Sequence, residues 1–275
     1  NAATALADDN RVVVYMGDDE RGEFMYKWVS RDAYEEGGDT STLLTEGQLF
    51  VARFSDDMTG EWVALTPEAT GMDAASIAIF TRTAGSAVGA TTMDRPEWVA
   101  VNPTAPEASC CLTNNSRRGA TNDDGSIRTT AGGDPMEING PNPRATNDYG
   151  QVVRWRPAGG DHGAAAFEWD LFVMAGNPTV YDNEYAGSAN INAGNMFNSP
   201  DGMAFSSDGM LWIQTDGNYK NEEDGIILYA EDIQADMIAL GTHQRKGVGH
   251  FLSGSIAEDV VNHSKFPVWT THLNA

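Results

Sequence analysis

SPDGMAFSSDGMLWIQTDG, at residues 199–217, is the stretch that indicates the fold most directly. Two runs of β-forming residues, 202–205 and 210–215, flank a Ser-Asp-Gly turn. Such turns join antiparallel strands closely because Gly adopts positive φ without strain. A second Asp-Gly pair follows the second run. The segment therefore predicts a β-hairpin with acidic residues at its ends.

Similar short runs recur along the chain between clusters of Gly, Asp, Asn and Pro. The hairpin has loose echoes at residues 7–19 and 95–115, and hairpins repeated at roughly 40–45 residues are typical of β-propeller blades. We predict an all-β fold, a β-propeller with a β-sandwich as the alternative. The predicted strands are residues 11–16, 24–30, 48–54, 62–65, 97–101, 109–113, 151–156, 166–174, 202–205, 210–215 and 225–229.

The predicted domain organisation is a single unit over residues 1–275 with two long polar loops, at about residues 119–143 and 177–195. Helical periodicity is hard to find. Its best candidate is the segment 230–240, which fits either one surface helix or a strand edge followed by a turn.

The composition excludes several classes of function. The chain has 275 residues, 40 acidic against 17 basic, and a formal charge of −23. This charge repels phosphate backbones and anionic lipids, so we expect neither nucleic acid nor a membrane surface as partner. No apolar run approaches the ~20 residues that span a bilayer. The adjacent Cys110 and Cys111 point to opposite faces of a strand, and no disulfide is expected.

Acidic residues recur where predicted strands begin or end. In a propeller these ends gather at the mouth of the central channel, where the carboxylates repel one another. A hard cation with oxygen ligands relieves that repulsion, and Ca²⁺ is the default candidate. For any one residue, a solvated turn is the alternative. The set comprises Asp18, Asp19, Glu20, Asp56, Asp57, Asp94, Glu97, Asp201 and Asp216.

Arg95-Pro96-Glu97-Trp98 is the sharpest local feature. Pro favours an extended conformation in the residue before it, so the side chains of Arg95 and Glu97 should point the same way. An Arg fork binds phosphate through two parallel hydrogen bonds, and the carboxylate could hold a metal ion. The alternative is a structural Arg–Glu pair with Trp98 in the core.

Other sequence motifs say less about function. The five His residues form no HExxH or H-x-H pair, and the chain has neither G-x-S-x-G nor a Gly-rich nucleotide loop. These absences disfavour a His-built zinc site, a serine-hydrolase elbow and a nucleotide site. Four polar residues at one strand end could line the same mouth or form a polar loop: Asn114, Asn115, Arg117 and Arg118.

Seven collinear segments between about residues 10 and 215 together resemble the PhoX family of bacterial alkaline phosphatases. The resemblance implies a propeller that is six-bladed in the family, export to the periplasm or outside the cell, and hydrolysis of small phosphate monoesters at a cluster of Ca²⁺ and Fe³⁺ ions. We expect a monomer. The segments are MGDDERGEFMYKWVS (16–30), GQLFVARF (47–54), MDRPEW (93–98), LTNNSRR (112–118), NPRATNDYGQVVRW (142–155), FEWDLFVMAG (167–176) and FNSPDG (197–202).

The resemblance also implies roles for five residues. Arg95 and Glu97 match the family's Arg-Pro-Glu motif, in which the Arg contacts phosphate and the Glu is a metal ligand. Asp201 matches a metal-binding Asp in SPDG. Asp19 and Glu20 fall in a further family motif and are candidate ligands.

The chain also departs from the family pattern. The family has a Cys and a Glu ligand upstream of the region that this chain matches, and near residues 251–259 only Glu258 or Asp259 could replace a further Glu. We therefore expect an incomplete propeller and metal site. Two alternatives stay open: a calcium-dependent propeller lactonase, and a catalytically incomplete calcium-binding β-propeller module.

Overall fold

A computed structural model of the chain describes residues 1–217 in full and the backbone of residues 238–242 and 268–272. Strands dominate the described residues, which confirms the all-β prediction. The chain divides into two compact units, residues 1–175 with 198–216 and residues 176–197 with 217–275. The single domain over 1–275 stays a prediction.

The first unit is built on one antiparallel sheet of nine strands, in the order β1-β2-β3-β4-β5-β9-β8-β7-β6, beside a separate β10–β11 hairpin. Each strand predicted within residues 1–217 is present, and only β1 was not predicted. The strands are β1 Ala2–Leu6, β2 Arg11–Gly17, β3 Met25–Ala33, β4 Gly47–Phe54, β5 Thr59–Ala64, β6 Pro96–Val101, β7 Ala108–Leu112, β8 Gln151–Pro157, β9 Ala166–Met174, β10 Pro200–Phe205 and β11 Leu211–Thr215.

The nine-stranded sheet nearly closes on itself, because its last strand, β6, returns to the first two. The backbone N–H of Val99 donates to the Oδ1 of Asn1 at 3.3 Å. A Cβ on Gly17 would lie 2.6 Å from the Pro96 carbonyl oxygen, so only glycine allows this approach. The closed curvature gives the sheet one interior face and one exterior face. The number of blades stays a prediction.

Aromatic rings fill the interior face. Tyr15, Trp62, Trp155 and Phe167 are all buried. The ring centroids of Tyr15 and Trp155 are 5.1 Å apart, edge to face. Such pairs add about 0.5–1.5 kcal/mol beyond the free energy of burying the rings. This core holds the ends of the strands that carry the candidate site.

Three short helices that no sequence pattern predicted cover part of the exterior face. Ile77 packs there beside Phe24. The capping signals are visible in retrospect: the side chains of Thr66 and Asp73 each accept the backbone N–H three residues on. With four to seven residues each, the helices are too short to show periodicity. They are α1 Pro67–Thr70, α2 Ala74–Ile79 and α3 Thr81–Ala87.

The second unit is described only in part. Residues 176–197 form mostly turns, with one 3-10 helix at Glu184–Ala186, as the predicted loop over 177–195 suggests. β12 (Ile238–Thr242) pairs with β13 (Val268–His272) in parallel. The end of the helix candidate at 230–240 is therefore strand, and its earlier residues lie outside the described residues, as do the strand predicted at 225–229, Glu258 and Asp259.

None of the helices in the described part of the chain is long and apolar enough to cross a membrane.

Lys27 is an unusual member of the interior face, because its side chain is fully buried in an aromatic core. Its ammonium donates to the Ala164 carbonyl oxygen at 2.6 Å and lies 5.3 Å from the centroid of the Trp62 ring. Burial lowers the pKa of Lys27 to about 7, and the Asp161 carboxylate opposes this effect only in part.

Replacing Lys27 with Met is expected to change how stability depends on pH. The lowered pKa means that between about pH 7 and the ordinary 10.5 the folded protein binds fewer protons than the unfolded chain. This lysine therefore makes the free energy of unfolding rise with pH, by about 1.4 kcal/mol per unit. Urea unfolding from about pH 7.5 to 8.5 should show the free energy of unfolding of the wild type rising by about this amount relative to that of Lys27→Met. A difference independent of pH would contradict the prediction.

Candidate metal and phosphate site

Arg95 lies at the centre of the candidate site, just before β6. Its Nε is 2.9 Å from Asp19 Oδ1, and its Nη2 donates to Asp19 Oδ2 at 3.1 Å and to Glu97 Oε1 at 3.0 Å. The side chains of Arg95 and Glu97 are 23% and 20% exposed, so solvent screens the pair only partly. The predicted meeting of Arg95 with Glu97 is confirmed, and Asp19 joins them.

The backbone reaches this arrangement differently from the expectation. Arg95 was expected to be extended because Pro96 follows it, but its φ is +55°. Left-handed conformations of non-glycine residues cost of order 1–3 kcal/mol and persist only where the surroundings enforce them. Trp98, which the structural alternative placed in the core, is 44% exposed.

Asp201 is presented by a second turn of the same kind. Ser199 has a φ of +49° and is followed by Pro200, just as Arg95 is followed by Pro96. In both hairpins the strand register shifts directly after the proline. The Asp201 carboxyl lies close enough to Glu97 to share a hydrogen bond with it. Two separate hairpins therefore bring carboxyl groups to one place.

Burial and the crowding of acids raise the pKa values of Glu97 and Asp201. Burial, followed by a hydrogen bond with Asp19 and the negative charges of Asp19 and Asp201, raises the pKa of Glu97 to about 8. Arg95 opposes the shift. Burial, with the charges of Asp216 and Asp19, also raises the pKa of Asp201. One guanidinium does not neutralise this group of acids, and added positive charge would be bound favourably.

The other acidic ends do not converge in the same way. Glu20 turns away to Arg21, whose backbone N–H its Oε1 accepts at 2.6 Å. Asp56 accepts the N–H of Gly140, and Asp57 accepts the N–H and hydroxyl of Thr59. For Asp56 and Asp57, the solvated-turn alternative is therefore the better account.

Asp94 and Arg118 form a fully buried ion pair, with Arg118 Nε donating to Asp94 Oδ1 at 2.7 Å. Asn115 and Asn147 each donate to the same carboxylate at 2.9 Å. Arg118 also donates to the Glu137 carbonyl oxygen, which fixes part of the polar loop 119–143. Asn115 and Arg118, candidates for lining the mouth, are thus parts of the scaffold immediately behind Arg95.

The donor chemistry of the site fits a hard cation, because carboxylate oxygens are what Ca²⁺ prefers. Within residues 1–217, however, no three of the His, Cys, Asp and Glu side chains lie close enough to enclose a metal ion. Cys110 and Cys111 are free, fully buried thiols whose pKa burial raises, and neither is suited to bind iron.

Fold and site together define an all-β protein with a carboxylate-rich, arginine-containing site. Residues 1–259 match the family model described as Alkaline phosphatase PhoX. The chain belongs to the PhoX alkaline phosphatase family.

A solved structure supports this assignment. "Pseudomonas fluorescens PhoX in complex with vanadate, a transition state analogue" is 46% identical, with a TM-score of 0.71 over 80% of this chain. That neighbour has a β-propeller-like fold. The present chain covers 39% of its length. Comparison with curated proteins found no match.

Proposed function

We propose that the chain carries the phosphate-binding part of a metal-dependent phosphomonoesterase, which releases inorganic phosphate from small organic phosphate esters. The observation that carries the proposal is the meeting of Arg95, Glu97 and Asp201 on two hairpins. Family membership and the vanadate complex of the relative support the same reaction.

Glu97, Asp201 and Asp19 are the proposed metal ligands, as separate contributors to a metal cluster and not as three ligands of one ion, since no three acids within residues 1–217 enclose a single site. Ca²⁺ fits their oxygens, and Fe³⁺ is kept as a second metal because the family resemblance implies it. When bound, the metal would neutralise phosphoryl charge and polarise the ester. Glu20 has the least support as a ligand because it pairs with Arg21.

Arg95 is proposed to bind the non-bridging oxygens of the phosphoryl group through its planar fork. Asp19 already occupies that fork through Nε and Nη2, so a phosphate ester must compete with Asp19 for the guanidinium. Because Asp19 and Glu97 both accept hydrogen bonds from the guanidinium, Arg95 is oriented before substrate arrives. Preorganised charge of this kind stabilises a transition state without further rearrangement.

A second candidate is a calcium-binding module without turnover. It is favoured by the 39% coverage of the relative, since the chain matches only part of that protein. A propeller lactonase has less support, because a neutral lactone needs no guanidinium fork.

Export to the periplasm or the cell exterior is proposed from the family. We also propose small phosphate esters as the substrates and a monomeric state. The net charge of −23 suits neither nucleic acid nor anionic lipid as partner.

One assay set tests these alternatives. p-Nitrophenyl phosphate and a lactone are each offered to the full chain with added calcium and iron, and then with EDTA. Phosphate release that EDTA abolishes supports the phosphomonoesterase. Lactone cleavage would support the lactonase, and calcium binding without turnover would support the module.

Arg95→Ala is expected to weaken inhibition by inorganic phosphate by roughly 10- to 100-fold, since a charge-assisted bond contributes about 1.5–3 kcal/mol. Calcium content should be unchanged. If the chain has no phosphatase activity, titration calorimetry with inorganic phosphate measures the same loss of affinity directly. Arg53→Ala is the control, because Arg53 pairs with Glu61 on the exposed surface. Equal phosphate binding by Arg95→Ala and wild type would refute the role.

A further inference from the structure

The turns that carry Glu97 and Asp201 share one construction. Each begins with a left-handed non-glycine residue, Arg95 at φ +55° or Ser199 at φ +49°. Each continues with a buried proline and an acid, and the register shifts before the third residue after the proline. The two acids are 104 positions apart in the chain, so their approach depends on what holds the two turns together.

The end of β7 contacts both turns. The backbone N–H of Thr113 donates to the Arg95 carbonyl oxygen at 3.2 Å, and its hydroxyl donates to the Pro200 carbonyl oxygen at 2.9 Å. The next residue, Asn114, donates from Nδ2 to the Ser199 hydroxyl at 3.1 Å. Thr113 therefore bonds to both strained turns, and Asn114 adds a second bond to the turn at Ser199.

Thr113 lies where close packing restricts its movement. Thr113 is 1% exposed, and its carbonyl is packed so closely that a Cβ on Gly150 would lie 2.0 Å from the carbonyl oxygen. The Ser199 carbonyl oxygen accepts the backbone N–H of Asp216, another acid whose charge acts on Asp201. Movement at Thr113 would be transmitted to the carboxylates.

We propose that Thr113 and Asn114 are positioning residues, which fix the separation of Glu97 from Asp201 and so set the affinity of the site for its cation. That the two residues fix the separation of Glu97 from Asp201 is inferred from the hydrogen bonds alone. That this separation sets the affinity for a cation rests on the proposed function. Neither residue is proposed to touch metal or substrate.

Thr113→Val tests the proposal, since Val keeps the shape of Thr and removes only the hydroxyl bond to Pro200. Calcium affinity by titration calorimetry on the full chain should fall by about 10-fold or more, and Thr113→Ser should restore it to within about 2-fold. Ser109→Ala is the matched control, because Ser109 is on the same strand and its buried hydroxyl bonds to no described residue. It should bind calcium as wild type does.

A crystal structure of Thr113→Val separates this inference from the proposed function. A wild-type chain without calcium affinity would refute the proposed metal site, yet the structure would still decide the positioning role. We expect the Glu97–Asp201 separation to change by about 1 Å, a displacement that costs of order 10²-fold in an active site. An unchanged separation, wild-type calcium affinity in Thr113→Val, or failure of Thr113→Ser to restore it would each overturn the inference.

Discussion

Glu97→Ala is expected to lose bound calcium and phosphatase activity together, each by at least about 100-fold. Glu97 contacts Arg95 and interacts with the carboxyl groups of both Asp19 and Asp201. Removing it takes away a proposed ligand and leaves Arg95 held by Asp19 alone. Loss of a metal ligand costs at least as much as the 10- to 100-fold that is typical of residues supporting the ligands.

The stability of the same variant gives an independent check. In EDTA, Glu97→Ala should unfold at the same temperature as wild type or slightly above it, because a partly buried carboxyl crowded by two acids is destabilising. Elemental analysis, calorimetry with calcium and release of p-nitrophenol measure the functional losses. Glu61→Ala, in an exposed pair with Arg53, is the control. Full calcium content in Glu97→Ala would remove Glu97 from the ligand set.

Arg118→Ala is expected to have the largest effect on stability, about 3–5 kcal/mol. Arg118 and Asp94 are both fully buried, and truncating the Arg leaves the Asp94 carboxylate without a counter-ion in the interior. Hydrogen bonds from Asn115 and Asn147 remain but do not neutralise its charge. Because Asp94 precedes Arg95, the phosphate-binding turn should loosen as well.

Urea unfolding at neutral pH measures this loss. The control is Arg31→Ala, whose partner Asp32 is exposed, so that solvent screens the ion pair and its loss should change stability little. A loss below about 1 kcal/mol at neutral pH would show that the pair is dispensable.

Local patterns in the sequence predicted the strands well, because alternating apolar residues and Gly-containing turns act over a few positions. Each predicted strand within residues 1–217 is present. The pairing of Arg95 with Glu97 was predicted too, but from an extended backbone that is not there. The left-handed turn at Arg95 depends on contacts with residues distant in the chain, such as the hydrogen bond from Thr113. The sequence around Arg95 carries no signal for these contacts.

Burial of polar residues was the least predictable feature. Arg118 and Asn115 belong to a polar segment, and only their pairing with Asp94 makes their burial favourable. The acidic ends were equally ambiguous: Asp19 and Asp201 approach Glu97, whereas Asp57 serves its own turn. Which ends meet depends on the closure of the sheet, and sequence spacing does not specify that.

The two thiols of β7 have a consequence for life in oxidising surroundings. Cys110 and Cys111 are completely inaccessible, and burial disfavours the thiolate form that reacts with oxidants. The native protein can therefore meet peroxide or disulfide exchange without sulfenic acid formation or mixed disulfides at these positions. Cys110 becomes exposed when the sheet opens, and Cys111, which contacts Met203 of β10, when that hairpin moves away or the sheet opens. Damage by oxidants would therefore mark misfolded copies and spare intact ones.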